Sequence, residues 1–416
     1  MRYVVLIVDG ASGWPASVHG GRTSLEVAST PNLDRLAREG KVGVSSNVPS
    51  GMEASSAIAC MSVMGFDPSV YYAGRGPIEA AAMGITLRPG QVAMRCNLVT
   101  VFDGRMTSYS AGNITSAESA ELIATLQRVL GDDRSRFYPG VGFRNILTVR
   151  DAEELLVTSF TPPHDIAGLP VAAAQPTGPG AAFARGLMER SKAVLDGHPV
   201  NERRKAAGKP PATQIWLFWP GMRPADMPAF TDLYSGRKGA LTSPVDLLKG
   251  LALQTGMDYL SIPGVTDGAD NDYEGQMRAA LASLTDHDVV FVHVESPDEA
   301  GHAGDAAGKV EAIEQVDALM VPQVMAYARA LASSAGAAQG EAPGAAGAGA
   351  EALRVLVLPD HPTPLEIRTH VAEPVPFILW GPGFEANGAS AYTESEARAT
   401  GFAVAPGHLL MSMFLG

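Results

Sequence analysis

Tyr3-Val-Val-Leu-Ile-Val8, stopped by Asp9-Gly10, is the stretch that decides the architecture of this chain. An apolar run of this length, bounded by an acidic residue and a glycine, reads as a buried strand. Similar runs recur at Ile215–Phe218, Val289–Val294, Leu353–Leu358 and Pro376–Leu379. Helical stretches alternate with them. In Thr30-Pro-Asn-Leu-Asp-Arg-Leu-Ala-Arg-Glu39, Thr30 can cap, Pro31 suits the first turn and Gly40 stops the helix. Further helices are expected over Gly275–Leu284 and over Gly308–Leu331, the latter kinked or divided by Pro322. Glu311, Glu314 and Asp317 lie on one polar face of that helix and read as scaffold. Alternating strands and helices predict an α/β fold, with a mostly parallel sheet flanked by helices.

A chain of 416 residues exceeds what one hydrophobic core usually supports. With 46% hydrophobic and 18% charged residues, the composition is that of a globular enzyme. The net charge of −13 argues against a nucleic-acid partner, because a polyanion needs a basic face. A small anion can still bind where metals and a few arginines reverse the local field. No apolar run reaches the roughly 18 to 20 residues needed to span a bilayer, so no membrane partner is expected. Cys60 and Cys96 form no metal motif or disulfide framework, which fits a cytoplasmic location. The acidic surface specifies no oligomeric state. Two stretches read as loops: the Ala/Gly-rich segment Ser333–Ala352, and His198–Thr213, whose Arg203, Arg204, Lys205 and Lys209 suggest a solvated basic surface.

Three short clusters at the ends of apolar runs carry metal-ligand chemistry. Asp298 and His302 are four apart just beyond Val294, Asp360 and His361 are adjacent just beyond Leu358, and His370 follows in a loop. With Asp9 they offer the mixed oxygen and nitrogen set that Mn²⁺, Zn²⁺ or Co²⁺ accepts. These residues fall before residue 60 or after residue 298. A catalytic domain of residues 1–89 and 240–416, interrupted by a second α/β domain at 90–239, explains that spacing. Ser55 and Ser56, in Pro49-Ser-Gly-Met-Glu-Ala-Ser-Ser-Ala-Ile-Ala-Cys-Met-Ser62, could supply a nucleophile at a helix N-terminus or simply cap that helix. Arg75, Arg95, Arg144 and Lys238 lie near glycines or loops and are candidates for phosphate recognition. No glycine-rich nucleotide fingerprint is present.

Taken jointly, several motifs resemble the archaeal-type, cofactor-independent phosphoglycerate mutases of the alkaline phosphatase superfamily. They are Val8-Asp-Gly10, Thr30-Pro-Asn-Leu-Asp34, Met64-Gly-Phe-Asp-Pro68, Tyr72-Ala-Gly-Arg-Gly-Pro-Ile-Glu-Ala80, Phe137-Tyr-Pro-Gly-Val141, His293-Val-Glu-Ser-Pro-Asp-Glu-Ala-Gly-His302 and Pro359-Asp-His-Pro-Thr-Pro364. They run in family order along nearly the whole chain. The resemblance implies an alkaline-phosphatase-like domain holding two divalent ions, Mn²⁺ first with Zn²⁺, Co²⁺ or Mg²⁺ as alternatives, and an inserted domain that binds substrate. Carried across by position, Asp9, Ser56, Asp360 and His361 would hold one ion, and Asp298, His302 and His370 the other. Ser56 matches the serine that becomes phosphorylated. The implied reaction interconverts 3-phosphoglycerate and 2-phosphoglycerate, a glycolytic and gluconeogenic step on a small phosphorylated metabolite.

The chain departs from that pattern at three positions. Ser55-Ser-Ala-Ile-Ala-Cys60 stands where the family usually has Gly-Ser-Asp-Val-Ala-Asn, so Ala57 and Cys60 replace an acid and an asparagine. Gln276 replaces a lysine after Asn271-Asp-Tyr-Glu-Gly275. Two alternatives therefore stay open: a homoserine kinase-like phosphotransferase of the same family, and an inactive relative that binds a metabolite.

Overall fold

The Arg2–Val8 strand lies at the centre of an eight-stranded sheet in the computed structural model, which describes residues 1–224, 226–339 and 352–416. In order across the sheet the strands are Ala403–Val404, Lys41–Ser45, Val375–Trp380, Leu353–Leu358, Arg2–Val8, Val289–Val294, Gly239–Thr242 and Asp258–Tyr259. Val375–Trp380 pairs antiparallel with both its neighbours, and every other pairing is parallel. Two-sided burial explains the unbroken apolar runs: Val4 to Val8, Val289 to Val292 and Val355 to Leu358 are all shielded from solvent. Ile7 is in register with both His293 and Leu358. The chain therefore leaves all three central strands at one carboxyl-terminal edge, where open α/β sheets place their sites.

The described residues divide into two units, Met1–Tyr72 with Pro228–Gly416, and Ala73–Met227. Both junctions precede the positions expected near Pro89 and Gly239. The Arg75–Ala82 helix belongs to the second unit because Gly76 packs so closely that a Cβ there would strike the Ala93 and Trp219 carbonyl oxygens. The Phe230–Leu233 helix belongs to the first unit, with the Phe230 ring 5.8 Å from that of Phe291. In the second unit the long strand Gln91–Phe102 pairs antiparallel with Arg105–Ser108, Arg144–Arg150 and Gln214–Met222. Helices Ser116–Leu130 and Ala181–Leu195 contribute Leu122, Leu126, Leu187 and Leu195 to its core.

Several expectations are modified by tertiary partners. Pro31–Glu39 is helical, but the Thr30 side chain does not cap it; Asp317 accepts the Leu33 and Asn32 backbone N–H groups at 2.6 and 3.3 Å instead. Asp317 lies in a π-helical turn, Val316–Met320, that separates helix Ala306–Gln315 from helix Val321–Gln339. Pro322, lacking an N–H, sits just after that turn, which is where the long helix divides. The stretch expected as a loop from Ser333 is helical as far as Gln339, and its remainder, 340–351, lies outside the described residues.

The basic run near 203 is the clearest correction. Pro199–Ala206 is a helix, and it turns Arg204 inward to 1% exposure. Its guanidinium donates to the carbonyls of Ala111 (2.6 Å), Gly112 (3.3 Å) and Pro210 (2.9 Å) and pairs with Glu118 at 2.7 Å. Only its exposed neighbours match the solvated surface read from the sequence. Arg204→Met is expected to destabilise the protein by about 3–5 kcal/mol, since three carbonyls lose their donor and Glu118 keeps only Thr115 as a partner. Arg203→Met, at an exposed pair, should change stability by less than about 1 kcal/mol; urea denaturation of both variants checks the contrast.

Candidate metal centre

Asp9 leaves the first strand fully buried, and the turn that follows is possible only with glycine. Gly10 has φ +61°, and a Cβ there would collide with Asp298 Oδ1 and Thr363 Oγ1. Its N–H donates to Asp360 Oδ1 at 3.3 Å. Asp360 and His361 follow the Leu353–Leu358 strand, and Asn47 fixes that turn by donating to the Asp360 carbonyl at 2.8 Å. Asp298 and His302 share one face of helix Ser296–Ala303 at i and i+4. His370 arrives on the loop after Asp360-His361.

These side chains converge on two foci. At the first, His361 Nε2 faces Ser56 Oγ at 3.2 Å, Asp360 Oδ2 at 3.2 Å and Asp9 Oδ1 at 3.7 Å. At the second, His302 Nε2 and His370 Nε2 are 2.8 Å apart and lie 3.1 and 3.5 Å from Asp298 Oδ2. Metal–ligand bonds of about 2.1 Å place neighbouring ligand atoms roughly 3.0–3.4 Å apart, and these separations scatter about that range. One ring nitrogen cannot donate to three oxygens, and two imidazole nitrogens facing each other need a proton or a cation between them. His302 Nδ1 lies 2.9 Å from the Arg368 carbonyl, an arrangement that directs Nε2 into the site. Asp9 Oδ1 is buried without a hydrogen-bond donor. The donor set therefore fits divalent cations.

Electrostatics carry the same message. Burial pushes the Asp9 carboxyl well above its ordinary value, and Asp360, Glu295 and Asp298 push it further. Burial also acts to raise Asp298, but hydrogen bonds from His302 and His370 outweigh it and hold that carboxyl well below the usual range. The Asp298 hydrogen bond raises His302 to about 9. Without metal, Asp9 is driven toward its neutral form and His302 toward its charged one.

Ser56 opens helix Ser56–Val63, and neither Ser55 nor Ser56 caps it through a side chain. Capping thus does not explain the pair, and the Ser56 hydroxyl is directed to His361 instead. Cys60, one turn on, lies 3.5 Å from Asp360 Oδ2. Beneath the site, Lys309 Nζ donates to the carbonyls of Ser12 and Thr363 at 3.2 and 2.6 Å, while Thr363 Oγ1 hydrogen-bonds Asp298.

A family model described as 2,3-bisphosphoglycerate-independent phosphoglycerate mutase matches residues 37–201, and one described as the metalloenzyme superfamily matches residues 349–415. The chain is 44% identical to the 2,3-bisphosphoglycerate-independent phosphoglycerate mutase of Methanothrix thermoacetophila, across 100% of both chains. It belongs to this family. The Methanosarcina barkeri mutase is 42% identical over 96% of this chain and 95% of its own. The structure of the cofactor-independent phosphoglycerate mutase of Thermoplasma acidophilum matches with a TM-score of 0.66 at 25% identity, covering 99% of each chain.

Within this phosphoglycerate mutase family member, the structure brings together Asp9, Ser56, Asp298, His302, Asp360, His361 and His370, all in the first unit. In the second unit, Arg75 and Arg95 meet at Glu79, with contacts of 2.9 and 2.5 Å. The Arg75 guanidinium also lies 4.2 Å over the Trp219 ring. Arg144 is not gathered with them; it is exposed at the start of its strand, 5.2 Å over Phe143. Lys238 is a correction. It precedes strand Gly239–Thr242, which runs parallel to Val289–Val294, so it stands at the sheet edge opposite the ligands. There its N–H donates to Asp288 Oδ2 at 2.9 Å.

Sequence reasoning missed His293 and Glu295. His293 Nε2 lies 2.6 Å from Asp9 Oδ2 and 3.5 Å from Glu295 Oε2, and all three residues are buried. The available signal was an imidazole inside a fully apolar strand, which needs a polar partner.

The His302–Asp298 pair predicts a pH signature in metal-free protein. A histidine whose folded pKa is raised contributes stability fully present below about 6.5 and lost as pH rises through about 9. His302→Gln should therefore lower the unfolding midpoint at pH 6 and change it much less at pH 10. Thermal denaturation in the presence of a chelator checks this.

Proposed function

We propose that this chain is a metal-dependent, cofactor-independent phosphoglycerate mutase that interconverts 3-phosphoglycerate and 2-phosphoglycerate through phosphorylated Ser56. The observation that carries the reading is the Ser56 hydroxyl, 3.2 Å from His361 Nε2 at the first turn of a helix and inside a cluster of seven ligand-type groups. Asp9, Ser56, Asp360 and His361 are assigned to one ion and Asp298, His302 and His370 to the other, with Mn²⁺ the first choice. Bound divalent ions would offset the charge that develops on the phosphoryl oxygens and favour the serine alkoxide.

The chain's own groups supply the rest. In the first half-reaction the P–O bond to the substrate 3-oxygen breaks as a bond to Ser56 Oγ forms, and the serine proton ends on the glycerate hydroxyl. After the glycerate turns, its 2-hydroxyl attacks the phosphoserine and returns the proton to Ser56. The helix N-terminus at Ser56 favours the incoming anion. Arg75 and Arg95, pre-aligned by Glu79 and Trp219, are assigned to the anionic groups of the substrate. Exclusion of water keeps the phosphoserine from hydrolysis. No described helix is long and apolar enough to cross a membrane.

Ser56→Ala should abolish mutase turnover, leave the folded structure intact and still bind metal. The check is a coupled assay for 2-phosphoglycerate without 2,3-bisphosphoglycerate, on stripped protein resupplied with Mn²⁺. Wild-type rates in the variant would exclude the serine. Phosphorylation of homoserine by ATP, with no isomerisation of phosphoglycerate, would move the assignment to the kinase-like alternative. Mn²⁺ at 100 times its dissociation constant should stabilise the stripped protein by about 2.7 kcal/mol per site, read as a rise in Tm.

A further inference from the structure

We propose that Asp9, His293 and Glu295 form an additional divalent-cation site, one that takes a borderline ion of the Mn²⁺ to Zn²⁺ series. It shares Asp9 with the centre assigned above and to that extent rests on that reading, but His293 and Glu295 have no part in phosphoryl transfer.

One ligand atom from each of the three residues lies within 4.8 Å of the others. Asp9 directs its two oxygens to different neighbours, Oδ1 toward His361 at 3.7 Å and Oδ2 toward His293 at 2.6 Å, so it can bridge. Glu295 Oε2 lies 3.5 Å from His293 Nε2 and is buried without a donor, as is Asp9 Oδ1. With bonds of about 2.1 Å, the 3.5 Å separation subtends roughly 110° at a common ion, and the 2.6 Å separation, a hydrogen-bond length, would open by about 0.4 Å to reach 90°.

Charge argues in the same direction. Glu295 and Asp9 are both buried and lie within hydrogen-bond reach of each other. Two buried carboxylates this close cannot both be ionised unless something positive lies between them. His293 is itself fully buried and turns one ring nitrogen toward both acids. Gln276, which donates to the His293 carbonyl at 2.9 Å, is neutral. The choice is therefore between a shared proton and a metal ion, and an O₂N donor set with an imidazole selects transition-series ions over Mg²⁺ or Ca²⁺.

The imidazole records which of the two is present. Its Nδ1 lies 3.0 Å from Ser243 Oγ, which also accepts the Val245 N–H. With a proton at the site, the Ser243 hydroxyl donates to Nδ1 and Nε2–H donates to Asp9. With a metal ion, Nδ1–H donates to Ser243 and the Nε2 lone pair is free to ligate.

Crystals of the full chain soaked in MnCl₂ and measured for anomalous scattering provide the test, on wild type and Glu295→Gln. The expected result is a peak bounded by Asp9, His293 and Glu295, lost in Glu295→Gln, beside retained peaks at Asp298, His302 and His370 and at Ser56, Asp360 and His361. Peaks at the assigned centre with none beside Glu295 would overturn the proposal and leave the shared proton. A peak beside His293 that keeps full height in Glu295→Gln would overturn it too. Absence of every peak would sink the assigned metal centre as well. If Glu295→Gln does not fold, ¹⁵N chemical shifts of His293 in the wild type decide: a switch from Nε2–H to Nδ1–H on Mn²⁺-substituting Zn²⁺ supports the site, and no switch refutes it.

Discussion

Mutual repulsion among buried carboxylates is the constraint on which the first unit depends. Asp9 and Asp360 are fully buried and Asp298 is nearly so, and each lies within contact of another acid or of an imidazole shared with one. In a low-dielectric interior such a group is stable only when protons or cations occupy the space between the oxygens. The metal-free electrostatics display the compromise. Asp9 is pushed toward its neutral form, whereas Asp298 stays ionised and His302 takes a proton in answer. Metal binding would replace these protons.

The scaffold has been built to hold the repelling groups in place. Parallel pairing through Ile7 sets the exit points of three strands side by side. Lys309 then fastens the loop after Asp9 to the loop after His361 by donating to a carbonyl in each. Burial lowers its pKa to about 8, so retention of a lysine here is explained by the two carbonyls and the surrounding acids, which favour its charge. Glu394 secures the same loop from the other side, accepting from Ser12 Oγ, Thr23 Oγ1 and the Gly13 N–H at 2.9, 2.7 and 3.2 Å. A cation and an anion thus brace one short segment, and its register with Asp360 follows.

What could be read from the sequence follows from the geometry of a parallel sheet. A ligand placed just beyond an apolar run must emerge at the carboxyl-terminal edge, which is why Asp9, Asp298, Asp360 and His361 were legible. Lys238 was open to the same reasoning: it precedes its strand, so chain polarity alone sends it to the opposite edge. His293 was hidden because it lies within a run instead of after it, and its partner Asp9 is distant in sequence. Arg204 resisted for a different cause. Its helix displays three consecutive basic residues, and only the carbonyls of Ala111, Gly112 and Pro210 select which of them turns inward. Likewise the cap of the Pro31–Glu39 helix comes from Asp317, a partner no local pattern contains.

The departures from the family pattern gain meaning from the charge constraint. Gln276 is fully buried, where it donates to the His293 carbonyl and accepts from Asn271 Nδ2 at 3.1 Å. It therefore keeps the end of the Val289–Val294 strand in place, but brings no positive charge where the family usually carries a lysine. Cys60 contributes a thiol 3.5 Å from Asp360 Oδ2 in place of an amide. A thiol is a weak donor, so Asp360 retains more of its negative charge for a cation. Gln276 removes a positive charge from the surroundings of the ligands, Ala57 removes a negative one, and the ligands themselves are intact. Loss of metal binding would have relaxed the repulsion by removing acids. This chain instead keeps all the acids assigned as ligands, even though Ala57 stands where the family usually has an acid, and the loss of a lysine at Gln276 leaves their charge to be met by bound cations.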